Sequence, residues 1–219
     1  MSSNLFTVNK SDVDRLDQSS GIEFIANMLS AESRRINIPV SNISISYDVN
    51  VPDGGIDAEV KNEHEFQGEL IIGNLCFYQV KTGENFNPQE DNRIKRELFG
   101  DKKVQKENLG ERVKYCLDHN GTYVLICLQL LNGKQISKSE DNLKRYFEIC
   151  GYQNASIMVI DQAKIILLLK RYPSLILALK GININFQTHS TWSDSEQMRK
   201  DFVPGRNREN DMESMSFLT

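Results

Sequence analysis

Apolar residues recur at steps of three and four in the first part of the chain, which is typical of an amphipathic helix. The recurring positions are Ile22, Ile25, Met28 and Leu29. Ser20 and Glu23 have the spacing of a capping box, so we predict a first helix from Ser20 to about Ile36. Polar residues dominate before this helix, and we predict a flexible N-terminus over residues 1–18.

Apolar and polar residues then alternate, which is the pattern of half-buried strands. The alternation runs through the segments NISISYDVN, IDAEVK and LCFYQVKT. VPDGG predicts a chain reversal between the first two, and the polar residues 61–69 predict a hairpin-like excursion before the third. On the third strand, the period of two places Leu75, Phe77, Gln79 and Lys81 on one face.

The second half of the chain alternates helical patterns with apolar runs that are typical of strands buried on both faces. A charged segment leads to a helix in NLGERVKYCLDHNG, and the strand TYVLICLQL, the helix SEDNLKRYFEICG, the strand SIMVI and a helix pair divided by Pro173 follow. This order predicts an α/β sandwich with a mixed sheet. We place one folded domain at 19–187 and a polar tail or linker at 188–219.

The charge is unevenly distributed along the chain. A net charge of −4 over 219 residues excludes an overall attraction to nucleic acid or membranes, so such binding needs a local patch. Residues 93–114 carry eight cations against four anions. A solvated helix face explains such a run, but its place after the lysine strand favours contacts with nucleic-acid phosphates. The eight cations are Arg93, Lys95, Arg96, Lys102, Lys103, Lys106, Arg112 and Lys114.

Other site types have little support in the sequence. The four cysteines form no CxxC pair, so we predict buried thiols in a reducing cytoplasm rather than a zinc site or disulfide framework. His64, His119 and His189 are scattered, and we predict solvated side chains for them. No apolar run is long enough to span a bilayer, and the first residues lack the apolar core of a signal peptide, so we predict no membrane association.

Four polar side chains share one end of the predicted sheet. If IDAEVK and FYQVKT are neighbouring strands, Asp57 and Glu59 lie on the same face as Gln79 and Lys81. A carboxylate there can bind Mg²⁺, which completes its shell with water, carbonyl and phosphate oxygens. A lysine beside it can orient a water molecule and stabilise phosphate charge, so this arrangement suits metal-assisted phosphodiester hydrolysis.

The acidic residue after Gly-Gly and the later QVK strand resemble the PD-(D/E)XK nuclease superfamily, in particular its Mrr-like QxK subgroup. The resemblance implies a restriction-endonuclease-like α/β/α sandwich with a central mixed sheet. It makes Asp57 a metal ligand, Lys81 the catalytic lysine, and Gln79 and the Val80 carbonyl further ligands. It also implies a glutamate on helix one, for which Glu23 is the first candidate and Glu32 the second.

The implied function is a Mg²⁺- or Mn²⁺-dependent endonuclease. The resemblance suggests double-stranded DNA with little sequence preference as substrate, a role in bacterial antiphage defence, and a homodimer or higher oligomer. It also suggests fusion to, or control by, an NTPase or sensor module, although this chain contains no Walker A pattern. The sequence departs from the family pattern at two points. Its Pro-Asp pair is Pro52-Asp53, whereas the residue assigned as metal ligand is Asp57. Gln79 is uncharged and should bind metal more weakly than a glutamate.

Each of these features also has a simpler interpretation. DGGID suits a plain turn, Lys81 could protect a sheet edge, and Glu23 could serve only the capping box. Glu59 could support the site or be a surface charge, and we slightly favour the surface charge. Two other functions stay open, a catalytically inert nucleic-acid-binding module and an RNA-directed nuclease. We rank RNA lower because the sequence shows no RNA module and no exposed aromatic pair suited to base stacking.

Overall fold

The computed structural model describes residues 5–46, 55–83 and 85–182. These residues belong to a compact unit that spans Met1–Ile182, and Asn183–Thr219 forms a separate unit outside the described residues. The described helices are α1 (Lys10–Asp14), α2 (Gln18–Arg35), α3 (Asp91–Phe99), α4 (Glu111–Asp118), α5 (Gly133–Ile149), α6 (Gln162–Leu169) and α7 (Pro173–Leu179). The described strands are β1 (Ile43–Ile45), β2 (Ala58–Gln67), β3 (Ile72–Lys81), β4 (Thr122–Cys127) and β5 (Ser156–Ile160).

The five strands form one sheet in their order along the chain. β1, β2 and β3 pair antiparallel, whereas β3, β4 and β5 pair parallel, so the sheet is mixed. The parallel pairs need crossovers, which α3 and α4 supply between β3 and β4, and α5 supplies between β4 and β5. β3 is therefore the strand at which the antiparallel half meets the parallel half.

Helices cover both faces of the sheet. On one face, α2, α6 and α7 pack on a core that includes Tyr78 and Val80 of β3. On the other face, α3, α4 and α5 pack on a core that includes Phe77 of β3 and Leu125 of β4. The prediction of an α/β fold with a mixed sheet is confirmed, and the specific restriction-endonuclease fold stays a prediction.

Several predicted element boundaries differ from the structure. Helix α2 begins at Gln18 rather than Ser20, because Asp17 caps it and accepts a hydrogen bond of 2.8 Å from the Ser20 N–H. The polar N-terminal segment, predicted to be flexible, contains α1, whose Val13 is 1% exposed and attaches this helix to the core. Residues 47–54, which include the predicted turn and Asp53, lie outside the described residues.

Two helical regions differ more strongly from the sequence prediction. The charged segment after Pro88, for which no helix was predicted, forms α3. Helix α5 begins six residues before the predicted Ser139, because Asn132 and Gln135 form a capping box at its start. The predicted hairpin-like excursion over 61–69 is the distal part of the β2–β3 hairpin, in which β2 continues to Gln67, the register shifts between Lys61 and Phe66, and β3 starts at Ile72.

Two further predictions concern the cysteines and membrane-spanning segments. All four cysteines are free and buried, as predicted. Within the described residues, no helix combines the length and apolar character that a bilayer crossing requires.

Candidate active site

The register of β2 and β3 brings Asp57 and Gln79 together. Ala58 pairs with Tyr78, so in an antiparallel ladder the preceding residue, Asp57, lies beside Gln79. The Asp57 N–H donates to the Tyr78 carbonyl at 2.8 Å, and the Val80 N–H donates to Asp57 Oδ2 at 2.6 Å. These two bonds fix the Asp57 carboxylate at the carboxyl end of β3.

Gln79 connects the strand to a carboxylate that the sequence analysis missed. The Gln79 side chain is 3% exposed, and its Oε1 accepts a hydrogen bond from the Tyr123 hydroxyl of β4. Its Nε2 donates to Glu97 Oε2 on α3 at 3.2 Å. Burial raises the pKa of Tyr123, and the carboxylates of Glu97 and Asp57 raise it further. The tyrosine therefore stays a donor, which orients the Gln79 amide with its nitrogen toward Glu97.

Lys81 lies at the same end of β3. Its ammonium forms an ion pair with Glu97, and its Nζ lies 5.7 Å from the centre of the Phe86 ring. The side chains of Lys81 and Glu97 are 22% and 28% exposed, so both reach solvent from the edge of the core. Asp57, which directly precedes β2, Gln79 and Lys81 of β3, and Glu97 of α3 thus form one cluster at the end of β3.

The first residue of α2 binds the predicted carbonyl ligand. Gln18 Nε2 donates to the Val80 carbonyl at 2.8 Å, and the Thr82 hydroxyl donates to Gln18 Oε1 at 3.2 Å. A carbonyl oxygen has two lone pairs, so the Val80 carbonyl keeps the capacity to bind a cation. Gln18 therefore holds the end of β3 in place from the opposite face of the sheet.

The predicted helix-one glutamates do not join this cluster. Glu23 is exposed and lines a separate groove between α2 and α7, together with Phe24 and Leu175. Glu32 is 1% exposed and accepts hydrogen bonds from Arg35, the Glu69 N–H and the Tyr172 hydroxyl. The carboxylate of Glu32 is thus bound by Arg35, Glu69 and Tyr172 rather than by residues of the cluster.

Glu59 is buried rather than a surface charge. It is 9% exposed and binds Arg112 at 2.6 Å and Lys61 at 3.1 Å. Burial alone would raise the pKa of Glu59, but hydrogen bonds and charge from Arg112 and Lys61 outweigh burial and lower it. Glu59 shares the sheet face of Asp57, as predicted, and its ion pair attaches α4 to β2.

Whether these residues suit Mg²⁺ depends on their oxygen atoms. Within the described residues, no group of three or more His, Cys, Asp or Glu side chains could hold a metal. Mg²⁺ needs fewer protein ligands, because it commonly binds one or two carboxylates and keeps several waters. The oxygens available at the end of β3 are those of Asp57, which accepts from the Val80 N–H, of Glu97, which pairs with Lys81, and of the Val80 carbonyl. Gln79 is less suited to be a ligand, because its oxygen already accepts from Tyr123.

A basic groove opens beside the cluster. It lies between α3 and α4, has a volume of about 710 Å³, and includes Gly55 and Glu97 in its wall. Of the eight cations in residues 93–114, four line it: Arg96, Lys102, Arg112 and Lys114. Glu107 and Glu111 also line the groove, so its positive charge is confined to the parts of the wall near the four cations.

The remaining predicted cations lie elsewhere. Arg93 pairs with Glu90 at 3.7 Å, and Lys106 pairs with Asp118 at 3.1 Å. Lys95 is half-buried and Lys103 is exposed, and neither lines the groove. The charged run therefore divides into groove residues and ordinary helix-face charges.

Comparisons with known proteins give no match. No family model matches the chain, and no curated protein or solved structure is detectably similar to it.

Sequence reasoning missed Glu97, Tyr123 and Gln18. A signal for α3 is present in RIKRELFG, where Ile94 and Leu98 are four residues apart and Gly100 follows the helix with φ 60°. That pattern could have predicted the helix. Only the packing of α3 on the sheet shows that Glu97 meets Lys81.

Proposed function

We propose that this protein is a metal-dependent endonuclease that hydrolyses phosphodiester bonds in DNA. The observation that carries the proposal is the placement of Asp57 beside Val80 and of Glu97 beside Lys81 at the end of β3, with Glu97 also in the wall of a groove that contains four cations. The groove and the cluster could therefore contact a phosphodiester from two sides, the groove through its cations and the cluster through a bound metal ion and Lys81. Cations in the groove attract the backbone, and the cluster lies where a bound phosphate would enter it.

Each residue of the cluster has a distinct role in the proposal. Asp57, Glu97 and the Val80 carbonyl would hold Mg²⁺ or Mn²⁺, which lowers the pKa of a bound water and offsets phosphate charge. Lys81 donates hydrogen bonds to the phosphate or to the attacking water. Gln79 positions Glu97 through its Nε2 and is itself held by Tyr123.

The wider context belongs to the proposal as well. Cleavage of both strands of a duplex needs two active sites or two successive nicks, which favours a homodimer or higher oligomer. The resemblance to Mrr-like nucleases supports a role in antiphage defence under the control of an NTPase or sensor module.

The test is cleavage of supercoiled plasmid with Mg²⁺ or Mn²⁺ by wild type, Asp57→Asn and Lys81→Ala. We expect Lys81→Ala to cut roughly 10²- to 10³-fold more slowly, the usual cost of removing a donor that stabilises transition-state charge, and Asp57→Asn to lose metal-dependent cutting. Lys144→Ala is the matched control, because Lys144 is exposed on α5 and lines neither the groove nor the cluster. Equal cutting by wild type and both site variants would show that the assigned cluster is not the active site.

If the isolated chain does not cut plasmid, a second experiment is required, because the active form is proposed to be an oligomer. Wild type fused to a dimerising coiled coil should then cut plasmid. If the fused protein binds DNA but never cuts it with either metal, the endonuclease proposal is wrong.

One observation favours a second candidate, an inert nucleic-acid-binding module. Gln79 and Lys81 both bind groups of the chain itself, Tyr123 and Glu97. An inert module would bind DNA through the groove without any metal dependence and would be unaffected by Asp57→Asn. Binding that strengthens with Ca²⁺ and weakens in Asp57→Asn would exclude it.

A further inference from the structure

A second, open pocket lies on the other side of Arg112 from the basic groove. It has a volume of about 480 Å³ and lies between α4 and the paired strands β2 and β3. Arg112 and Glu111 line both cavities, so the pocket continues the groove that leads to the candidate active site. Its wall contains Tyr115 of α4 and Phe77 of β3.

Tyr115 belongs to an exposed pair of stacked rings, which the sequence analysis did not predict. Its side chain is 43% exposed, and its ring centre lies 4.0 Å from that of His119 with 28° between the ring planes. His119 Nδ1 lies 2.8 Å from the Tyr115 carbonyl, which holds the imidazole in place. The pair is therefore a preformed aromatic surface beside a groove that contains cations.

The side of Tyr115 that faces the pocket already attracts a cation. Lys61 Nζ lies 5.0 Å from the centre of the ring, and the Lys61 side chain is 50% exposed. Lys61 also pairs with Glu59 at 3.1 Å, but Arg112 binds the same carboxylate, so the half-exposed lysine can leave the ring to a flat ligand while Glu59 stays paired. The buried Phe77 ring, 6.1 Å from Tyr115, makes the base of the pocket apolar.

The charges of the pocket favour a base over a phosphate. Lys61 and Arg112 are balanced there by Glu59 and Glu111, and Glu59 is already paired with both cations. The groove contains four cations against three carboxylates, Glu97, Glu107 and Glu111, so it keeps an excess of one cation, and phosphates are bound where cations predominate. Aromatic surfaces next to cationic grooves are the usual architecture for binding single strands.

We infer that the groove and the Tyr115 pocket bind one unpaired DNA strand, with phosphates in the groove and a base stacked on Tyr115. Bases inside a duplex are paired and stacked on one another, so only an unpaired nucleotide can present its face to this pocket. The inference rests on the proposed function for its link to cleavage. It narrows the substrate to DNA with a single-stranded segment next to the candidate active site.

Binding without cleavage tests the inference. Fluorescence anisotropy with a labelled oligo-dT and a blunt duplex of equal length, both without divalent metal, compares wild type with Tyr115→Leu. We expect Tyr115→Leu to weaken oligo-dT binding about 5- to 100-fold, the effect of losing one base–aromatic stack. Duplex binding should stay unchanged, and Tyr115→Phe should bind both ligands like wild type.

Two control variants separate stacking from other effects. Tyr152 also has a lysine ammonium over its ring, that of Lys106 at 4.5 Å, but it lines a different cavity near Gly121 and Ser156. Tyr152→Leu should leave both affinities unchanged. Lys102→Ala, which removes a groove cation, should weaken oligo-dT and duplex binding by similar factors.

Two outcomes of the binding assay would overturn the inference: an equal loss of both affinities in Tyr115→Leu, or no loss of either. Tighter binding of oligo-rU than of oligo-dT would overturn the assignment to DNA. If Tyr115→Leu does not fold, photo-cross-linking of wild type to an oligonucleotide containing 5-iododeoxyuridine gives the answer. The cross-linked peptide should contain Tyr115, and cross-links confined to other regions would refute the stacking site.

The binding assay and the plasmid assay can fail independently. A protein that never cuts plasmid but shows Tyr115-dependent oligo-dT binding would disprove the nuclease and keep the strand-binding site. A protein that cuts plasmid through Lys81 but binds oligo-dT independently of Tyr115 would keep the nuclease and disprove the strand-binding site.

Discussion

Replacement of Glu32 by glutamine should destabilise the fold in a pH-dependent way. Glu32 is a buried carboxylate that joins three parts of the chain: Arg35 of α2, the Glu69 N–H between β2 and β3, and Tyr172 between α6 and α7. Burial alone would raise the pKa of Glu32, but the hydrogen bonds from Arg35, Tyr172 and Glu69 outweigh burial and lower it from 4.5 to about 2. The folded protein therefore prefers the charged form.

The size of the effect follows from this pKa. Each tenfold change in proton affinity is worth about 1.4 kcal/mol, so the charged carboxylate contributes about 3 kcal/mol to the free energy of unfolding. Because the pKa is lower in the folded state, the contribution is complete above about pH 4.5 and is lost as the pH falls toward 2. Glu32→Gln should accordingly cost about 3 kcal/mol at pH 7 and almost nothing at pH 2.

Urea unfolding of wild type and Glu32→Gln between pH 7 and pH 2 measures this difference. Glu69→Gln is the matched control, because Glu69 binds Lys164 and Arg171 with side chains that are 30% to 48% exposed. Exposed ion pairs contribute about 0–1 kcal/mol, so the control should change stability little at any pH. A pH-independent difference for Glu32→Gln would refute the reasoning. If Glu32→Gln lost plasmid cleavage without losing stability, Glu32 would be an active-site residue.

Two further substitutions test the cluster and its surroundings. Gly55 has φ +80°, and a Cβ there would lie 2.9 Å from Gln79 Nε2, so Gly55→Ala should cost about 1–2 kcal/mol in urea unfolding and should slow plasmid cleavage. Gly133→Ala, where a Cβ meets nothing within 4 Å, is the control and should not be destabilised. Arg112→Met leaves the buried Glu59 with Lys61 alone and should cost about 1–3 kcal/mol at pH 7. Because the pairing lowers the pKa of Glu59, that cost should shrink in acid as the carboxyl becomes protonated, and an equal cost at pH 7 and pH 3 would contradict this.

The strand residues of the site could be predicted because their geometry depends on a local rule. A period of two assigns Gln79 and Lys81 to one face of β3 whatever the rest of the fold does. Asp57 required one further assumption, that its strand neighbours β3, and the register of Ala58 with Tyr78 confirms it. These residues needed only local pattern and the pairing of adjacent strands.

The helical residues of the site depend on tertiary packing instead. Glu97 reaches Lys81 only because α3 folds back on the sheet, where Phe99 packs against Tyr146 of α5. Glu23 was the first candidate because of the family resemblance, and the structure exposes that side chain to solvent. A single sequence predicts which residues share one face of a helix, but not which element packs against that face.

Glu97 also explains why position 79 is a glutamine. A glutamate there would place a third negative charge beside Asp57 and Glu97, in a position that is 3% exposed, and like charges at such a site are costly. The amide avoids this cost, because it accepts from the Tyr123 hydroxyl and donates to Glu97. Lys81 then faces a carboxylate from α3 instead of one from its own strand. The neutral residue in QVK is therefore consistent with a complete charged cluster, whose second carboxylate comes from a helix.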